Sequence, residues 1–320
     1  MVASQFIEQG QETKFVLKLL NIALSTWYYQ SKGTKQGIKA STCTHAQDGT
    51  SIPNTEVVKR IETLLQQDFI DYGYIKVTHW LRQNCNLIIN FKKVYRLMRE
   101  NKLLYSQPGR DRKGKVFIKY RVPKPELPFE HMEMDIKFVW VHGSRRMAYL
   151  LSVIDIKTRA ILAWILQYSV KKEDVVNLMQ AVQKHYCLPL QVTIRSDNGS
   201  QFEAKTVREC LSDMKIQQEF SHVATPEDNG HIESYHAIIK KAVCNAFEFT
   251  DINNTAETID KFVRFYNTDR LHSGIDYKSP NKYYFSLGLT QPPHNDQNHI
   301  LNLENGKKIF LHQFVESASN

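Results

Sequence analysis

The stretch from Val192 to Lys241 constrains the fold most. An apolar run of Leu190, Val192 and Ile194 reads as a short buried strand that delivers Arg195-Ser196-Asp197-Asn198-Gly199 at its end. Asn-Gly is a turn signal, so Asp197 is expected where the strand stops and the backbone bends. Thr225-Pro226-Glu227-Asp228-Asn229-Gly230 then forms a loop, and an uninterrupted helical run follows from about His231 to Phe249. Glu233 falls in the first turn of that run, where the helix dipole favours a negative charge. Lys240 lies seven residues further on, on the same face. One acid closes a strand and another opens a helix, an arrangement that folding is able to turn into a pair of carboxylates.

A third acid lies upstream. Glu130 to Val141 alternates apolar and polar residues after a Pro-rich segment, with Met132, Met134, Ile136, Phe138 and Trp140 on one strand face and Asp135 on the other. Asp135 precedes Asp197, and 35 residues separate Asp197 from Glu233. Three carboxylates from different elements supply the hard oxygen ligands that Mg²⁺ prefers. Two such ions about 3.5–4 Å apart activate a nucleophile and stabilise a leaving oxygen in displacement at phosphorus. Asp155 sits between two apparent strands and reads as a turn former. Glu130, Glu133, Glu203, Glu227 and Asp228 read as surface or loop residues.

The order, spacing and local text of Asp135, of Ser196-Asp197-Asn198-Gly199 and of Asn229-Gly230-x-x-Glu233 with Lys240 beyond resemble the DDE triad of retroviral-integrase-type transposases. They resemble in particular the second-frame, OrfB-type transposases of the bacterial IS-three insertion-sequence family. Tyr266-Asn267-Thr268-Asp269-Arg270-Leu271-His272-Ser273 is similar to that family's Tyr-Asn-x-x-Arg-x-His-Ser segment, and the resemblance spans about residues 10–285. It implies an α/β, RNase H-like core of the retroviral integrase type, preceded by small all-α helix-turn-helix-like units. It implies a transposase that cuts insertion-sequence ends and joins them to target DNA. Asp135 would serve as ligand to both metal ions, Asp197 to one and Glu233 to the other, with Mn²⁺ able to replace Mg²⁺. Lys240 would contact the transposon end. His236, one turn from Glu233, either touches DNA or does not. Arg270 and His272 either touch DNA or brace the core. The implied partners are double-stranded DNA, further copies of the chain in a homo-oligomer, and a small upstream-frame DNA-binding protein. Two alternatives stand beside this reading: a catalytically silent DNA-binding derivative, and a metal-dependent nuclease that cuts without joining.

Composition agrees. A chain of 320 residues accommodates two or three small domains. The net charge of +9 favours a polyanion as partner. Between Lys92 and Lys124 there are twelve Lys or Arg against two acids, a one-sidedness rare on an ordinary solvated surface. The five cysteines are odd in number and form no C-x-x-C pair, which points to reduced thiols in a cytoplasmic protein and offers no His/Cys zinc module. No run of 18 apolar residues suggests a membrane span.

In chain order, residues 1–30 read as a helical pair, with the second helix beginning at a Ser/Thr cap. The pair is compatible with a helix-turn-helix-like unit or with a small packing unit that makes no DNA contact. Residues 31–53 read as a polar linker. Residues 54–105 carry three helices, the third with Val94, Tyr95, Leu97 and Met98 inward and Lys92, Lys93, Arg96 and Arg99 on its free face, as a recognition helix against DNA would have. Residues 106–128 form a basic connector whose Arg110, Arg112 and Lys113 would follow phosphates. Residues 129–250 form the core: three antiparallel strands, a helix, a strand, a helix over Phe202–Met214, a strand, and the Glu233 helix. Residues 251–320 form a helical extension and tail, in which the apolar patch Ile309–Phe314 has no assignment.

Overall fold

The computed structural model describes residues 2–29, 40–105, 123–186, 188–222, 226–290, 292 and 299–315. Arg110, Arg112 and Lys113 lie outside the described residues. The chain divides into two compact units, residues 1–42 and 43–320. In the first, α1 (Val2–Glu8), α2 (Thr13–Leu19) and α3 (Leu24–Trp27) close on Ala3, Val16 and Leu17. The α3 N-cap is Ala23 and makes no side-chain bond, so the expected Ser/Thr cap is not used.

The second unit opens with a correction. Part of the expected linker is a hairpin of β1 (Cys43–Ala46) and β2 (Ser51–Pro53). It roofs α4 (Asn54–Leu65), α5 (Tyr74–Asn84), β3 (Leu87–Ile88) and α6 (Phe91–Glu100), with β3 pairing to β1. The three helices bury Val57, Ile61, Val77, Leu81, Val94 and Met98 against one another. Asn90 caps α6 by accepting the Lys92 amide at 2.8 Å, as a short polar side chain at that position does. Tyr95, expected inward, is exposed and packs edge-on to Tyr74.

The core sheet is built on β4 (His131–Val141), β5 (Arg146–Asp155) and β6 (Ile161–Gln167), an antiparallel meander. A crossover through α7 (Lys172–His185) returns the chain to β7 (Val192–Ser196), parallel to β4. Leu190, expected in that strand, precedes it and is 93% exposed. The next helix breaks into α8 (Ser200–Glu203) and α9 (Lys205–Asp213) because Ala204 between them is extended. It leads to β8 (Ile216–Phe220), parallel to β7. Then come α10 (Gly230–Ile239), α11 (Ile252–Thr268), α12 (Pro280–Ser286), β9 (Ile300–Asn302) and β10 (Lys308–Leu311). The expected tail is thus part of the core. β10 pairs with β6, giving the order β8-β7-β4-β5-β6-β10-β9, and Phe310 stacks on Trp164 at 3.9 Å.

Both sheet faces are covered, by different helices and at different ends. On one face α7 and α9 bury Met132 and Met134 of β4; on the other α10 and α11 bury Val139 and Val141. Phe138 and Trp140 lie beyond the first pair of helices and are exposed. The Asp135 face, read as the polar one, is therefore the face on which α10 sits. At the β4–β5 turn the 249–250 backbone crosses so closely that a Cβ on Gly143 would overlap the Thr250 carbonyl. The helix read as continuous to Phe249 passes into a π turn at Lys240–Cys244 and ends there. Among the described residues no helix is long and apolar enough to cross a membrane.

Candidate active site

The β4–β7 ladder pairs His131 with Thr193 and Glu133 with Arg195. The same offset carried two residues further sets Asp135 opposite Asp197, just past the end of β7. The Asp197 carboxyl is raised above the usual carboxylate range, first by burial and then by the negative charge of Asp135, while the Gly199 amide, donating to Asp197 Oδ1 at 3.0 Å, opposes the shift. A Cβ at Gly199 would stand 2.9 Å from that same oxygen, so the turn after β7 favours a residue without one. Gly230 meets no such restriction.

α10 lies over the Asp135 face, burying Ile232, Tyr235, His236 and Ile239. His236 Nδ1 is 3.3 Å from Asp135 Oδ2. Of the two readings left open for His236, the structure shows a buried ring against an acid of the site. Glu233 is one turn earlier on the same helix and is exposed. Among the described residues no three His, Cys, Asp or Glu side chains gather as a ready metal-binding group. The structure brings Asp135 and Asp197 together and leaves Glu233 at the rim. Two converging carboxylates, one of them raised by burial and further by the other's charge, still form a donor set that a hard divalent cation would relieve.

Glu133 corrects the sequence reading. It is no surface residue but 0% exposed. It accepts from the His231 and Ile232 amides at 3.0 and 2.8 Å and meets His231 Nδ1 at 2.8 Å. Burial pushes its carboxyl up to about 7, against the Ile232 amide and the charges of Arg195 and Arg159. Arg195 fastens the loop before α10: it donates to Glu219 on β8 and to the Asp228 carbonyl, both at 2.8 Å. Asp155 is the expected turn former, though fully buried, and accepts from Thr158 and Phe129.

The expected DNA contacts divide. Lys92, Arg99 and Lys240 are exposed, and Arg96 lies 3.9 Å from Glu100. Lys93 instead turns back to donate to the Cys43 carbonyl of β1. Arg270, left open between a DNA contact and a brace, is 1% exposed and forms an ion pair with Asp71 at 2.7 Å. His272 packs edge-on against Tyr266, and burial together with the Arg270 charge holds its pKa well below the usual histidine value. Both residues brace the joint between the three-helix unit and the core. Tyr72 accepts the Leu271 amide at 2.9 Å, and His79 stacks on Tyr277 at 3.8 Å across the same joint.

With this geometry in view, residues 125–226 match the pattern of the Integrase core domain, and residues 214–280 match a second Integrase core domain pattern. The chain carries an integrase core. Residues 53–111, which include α4, α5 and α6, match an HTH-like domain. The integrase-core chain is 25% identical over 236 residues to the transposase for insertion sequence element IS904 of Lactococcus lactis, covering 70% of this chain and 92% of that protein. It is also 25% identical over 291 residues to transposase InsD for insertion element IS2 of Escherichia coli, covering 88% of this chain and 93% of that protein. Among solved structures, the HTLV-2 integrase catalytic core aligns with 17% identity over 50% of this chain and 99% of its own, with a TM-score of 0.39. The meander, the parallel β7 and β8, and helices on both faces make the integrase core here RNase H-like.

Proposed function

We propose that this chain is the DNA transposase of an insertion sequence, a polynucleotidyl transferase that cuts DNA at the element's ends and joins them to target DNA. The observation that carries the reading is the placement of Asp135, within β4, opposite Asp197, just past the end of the neighbouring parallel strand β7, beneath the helix that bears Glu233. Insertion-sequence transposases similar over most of their length support it.

Asp135, Asp197 and Glu233 are the residues that would hold Mg²⁺, two ions per site, with Mn²⁺ as a substitute. The bound ions would lower the pKa of the attacking hydroxyl and stabilise the leaving oxygen. The chain's own residues do the rest. Gly199 holds Asp197 in orientation through its amide. Burial of His236 beside Asp135 excludes water from one side of that carboxylate. Lys240, exposed two turns beyond Glu233, faces the backbone of the element's end. Lys92, Arg96 and Arg99 on α6 meet duplex phosphates, a contact that confers affinity before sequence is read. The functional particle is a homo-oligomer bridging two ends, acting in the bacterial cytoplasm and on the nucleoid, with a small upstream-frame DNA-binding protein as associate or fusion partner.

The test is cleavage and joining of labelled insertion-sequence ends with Mg²⁺, comparing wild type with Glu233→Gln. The reading expects wild type to cut and join, and the variant to bind the ends and do neither. Cutting without joining would leave a nuclease. Binding without reaction by wild type, even with the upstream protein added, would leave a DNA-binding derivative. Normal reaction by Glu233→Gln would remove Glu233 from the site.

A further inference from the structure

We infer that Glu133 is a positioning residue that sets the Glu233 helix against Asp135; the inference rests on the reading of those two acids as catalytic. Glu133 is on β4, two residues ahead of Asp135, and is completely buried. Its Oε2 accepts from both the His231 and the Ile232 amides, and its Oε1 faces His231 Nδ1. The first four amides of a helix have no partner within the helix. A side chain at the N-cap usually satisfies one of them. Here the N-cap, Asn229, makes no such bond. Glu133 does it instead, from a strand 98 residues away in sequence.

The consequence is geometric. Ile232 immediately precedes Glu233 in the chain. One side chain therefore ties the backbone two residues before the first acid to the backbone one residue before the third. Besides this tie, α10 meets β4 through His236 Nδ1, 3.3 Å from Asp135 Oδ2, and otherwise packs on the sheet through the apolar surfaces of Ile232, Tyr235 and Ile239. Those apolar contacts hold the helix down, and Glu133 is the side chain that ties its first-turn backbone amides to β4. A misplacement of about 1 Å at a reacting centre costs on the order of 10²-fold in rate.

This bonding pattern predicts an unusual tolerance. In Glu133→Gln the amide oxygen still accepts both backbone N–H groups, and the new NH₂ donates to an unprotonated His231 Nδ1. The tie survives without the charge. Glu133→Ala removes it. A residue whose charge served the chemistry directly would lose function equally in both variants.

The experiment uses the full chain and measures single-turnover joining, end-DNA affinity and amide hydrogen exchange over 230–236 for wild type, Glu133→Ala, Glu133→Gln and Asp135→Asn. Glu133→Ala is expected to join about 100-fold more slowly, to bind ends as wild type does, and to exchange the His231 and Ile232 amides faster. Glu133→Gln is expected to resemble wild type in all three. If Glu133→Ala does not melt cooperatively, Glu133→Met fills the volume without an acceptor and replaces it. Unchanged exchange in the Ala or Met variant overturns the inference, as does a Gln variant equally slow. Full-rate joining by Asp135→Asn would sink the catalytic reading instead, while faster exchange without Glu133 would still show the tie.

Discussion

Arg270 Nη2 lies 2.7 Å from Asp71 Oδ1, and this one pair joins a fully buried guanidinium of the core to the loop between α4 and α5. Burial alone would raise the Asp71 carboxyl; the charges of Arg270, Lys76 and Lys241 outweigh it and hold the carboxyl below its ordinary value. Removing one partner of a buried pair is costlier than the pair is worth, because the other charge stays desolvated. Asp71→Ala is expected to lower unfolding stability by about 3 kcal/mol. Denaturant unfolding checks this; a loss below about 0.5 kcal/mol would place the pair among weak surface ones.

Lys76 shares that joint and has the opposite problem. Burial, with repulsion from Arg270 and Lys241, brings its pKa down to about 8 despite Asp71. A lysine whose folded pKa is below its unfolded value, about 10.4, penalises the fold while both states are protonated. The penalty disappears as pH rises from about 8 toward that unfolded value, since the folded state releases its proton first. Lys76→Met is therefore expected to be more stable than wild type at pH 7 by about 1–2 kcal/mol, with the advantage shrinking by pH 10. A constant or growing difference between the two unfolding curves would contradict the assignment.

Lys240 stands exposed where α10 turns into the π segment. Its replacement by Ala should leave the melting temperature unchanged and weaken end binding. The slope of log K against log salt should fall by about 1, the mark of one lost phosphate contact. An unaltered slope would assign Lys240 to the solvent.

Phe310 stacks on Trp164 with the rings 5° from parallel. Phe310→Ala removes a large aromatic face from the strand that completes the sheet, at about 3 kcal/mol. The loss should appear as a lower denaturant midpoint with β9 and β10 exchanging first, whereas uniform exchange across the sheet would show that the hairpin is not a separate edge.

Much of the core was legible because it obeys simple periods. Alternation gave β4, apolar runs gave β5 and β6, an amphipathic stretch gave α7, and Asn198-Gly199 marked the turn after β7. Glu133 was not legible. In an alternating strand an acid reads as solvent-facing, and its partners are backbone amides 98 and 99 residues away. The π turn was hidden for another reason: Lys240 to Cys244 contains nothing that disfavours an ordinary helix. Arg270 and His272 were found by motif, yet motif carries no burial, and their surroundings make them braces. The closing hairpin has three- and four-residue strands, too short for alternation to stand out. Its place is fixed by what it covers, not by its own pattern.

That hairpin sets a timing for synthesis. β6 is paired on one side by β5, but its other edge waits for β10, whose first residue follows Gln167 by about 140 residues. At ribosomal rates of roughly 5–20 residues per second, that edge emerges about 7–28 s before its partner. Until then Ala163 and Trp164, which pair with β10 in the finished sheet, belong to a strand with open hydrogen-bonding groups, the kind of surface that recruits other strands. A message cut short after α12 would release a protein bearing all three acids and a permanently adhesive sheet, so damaged copies of the gene would tend to yield aggregates instead of a competing DNA binder.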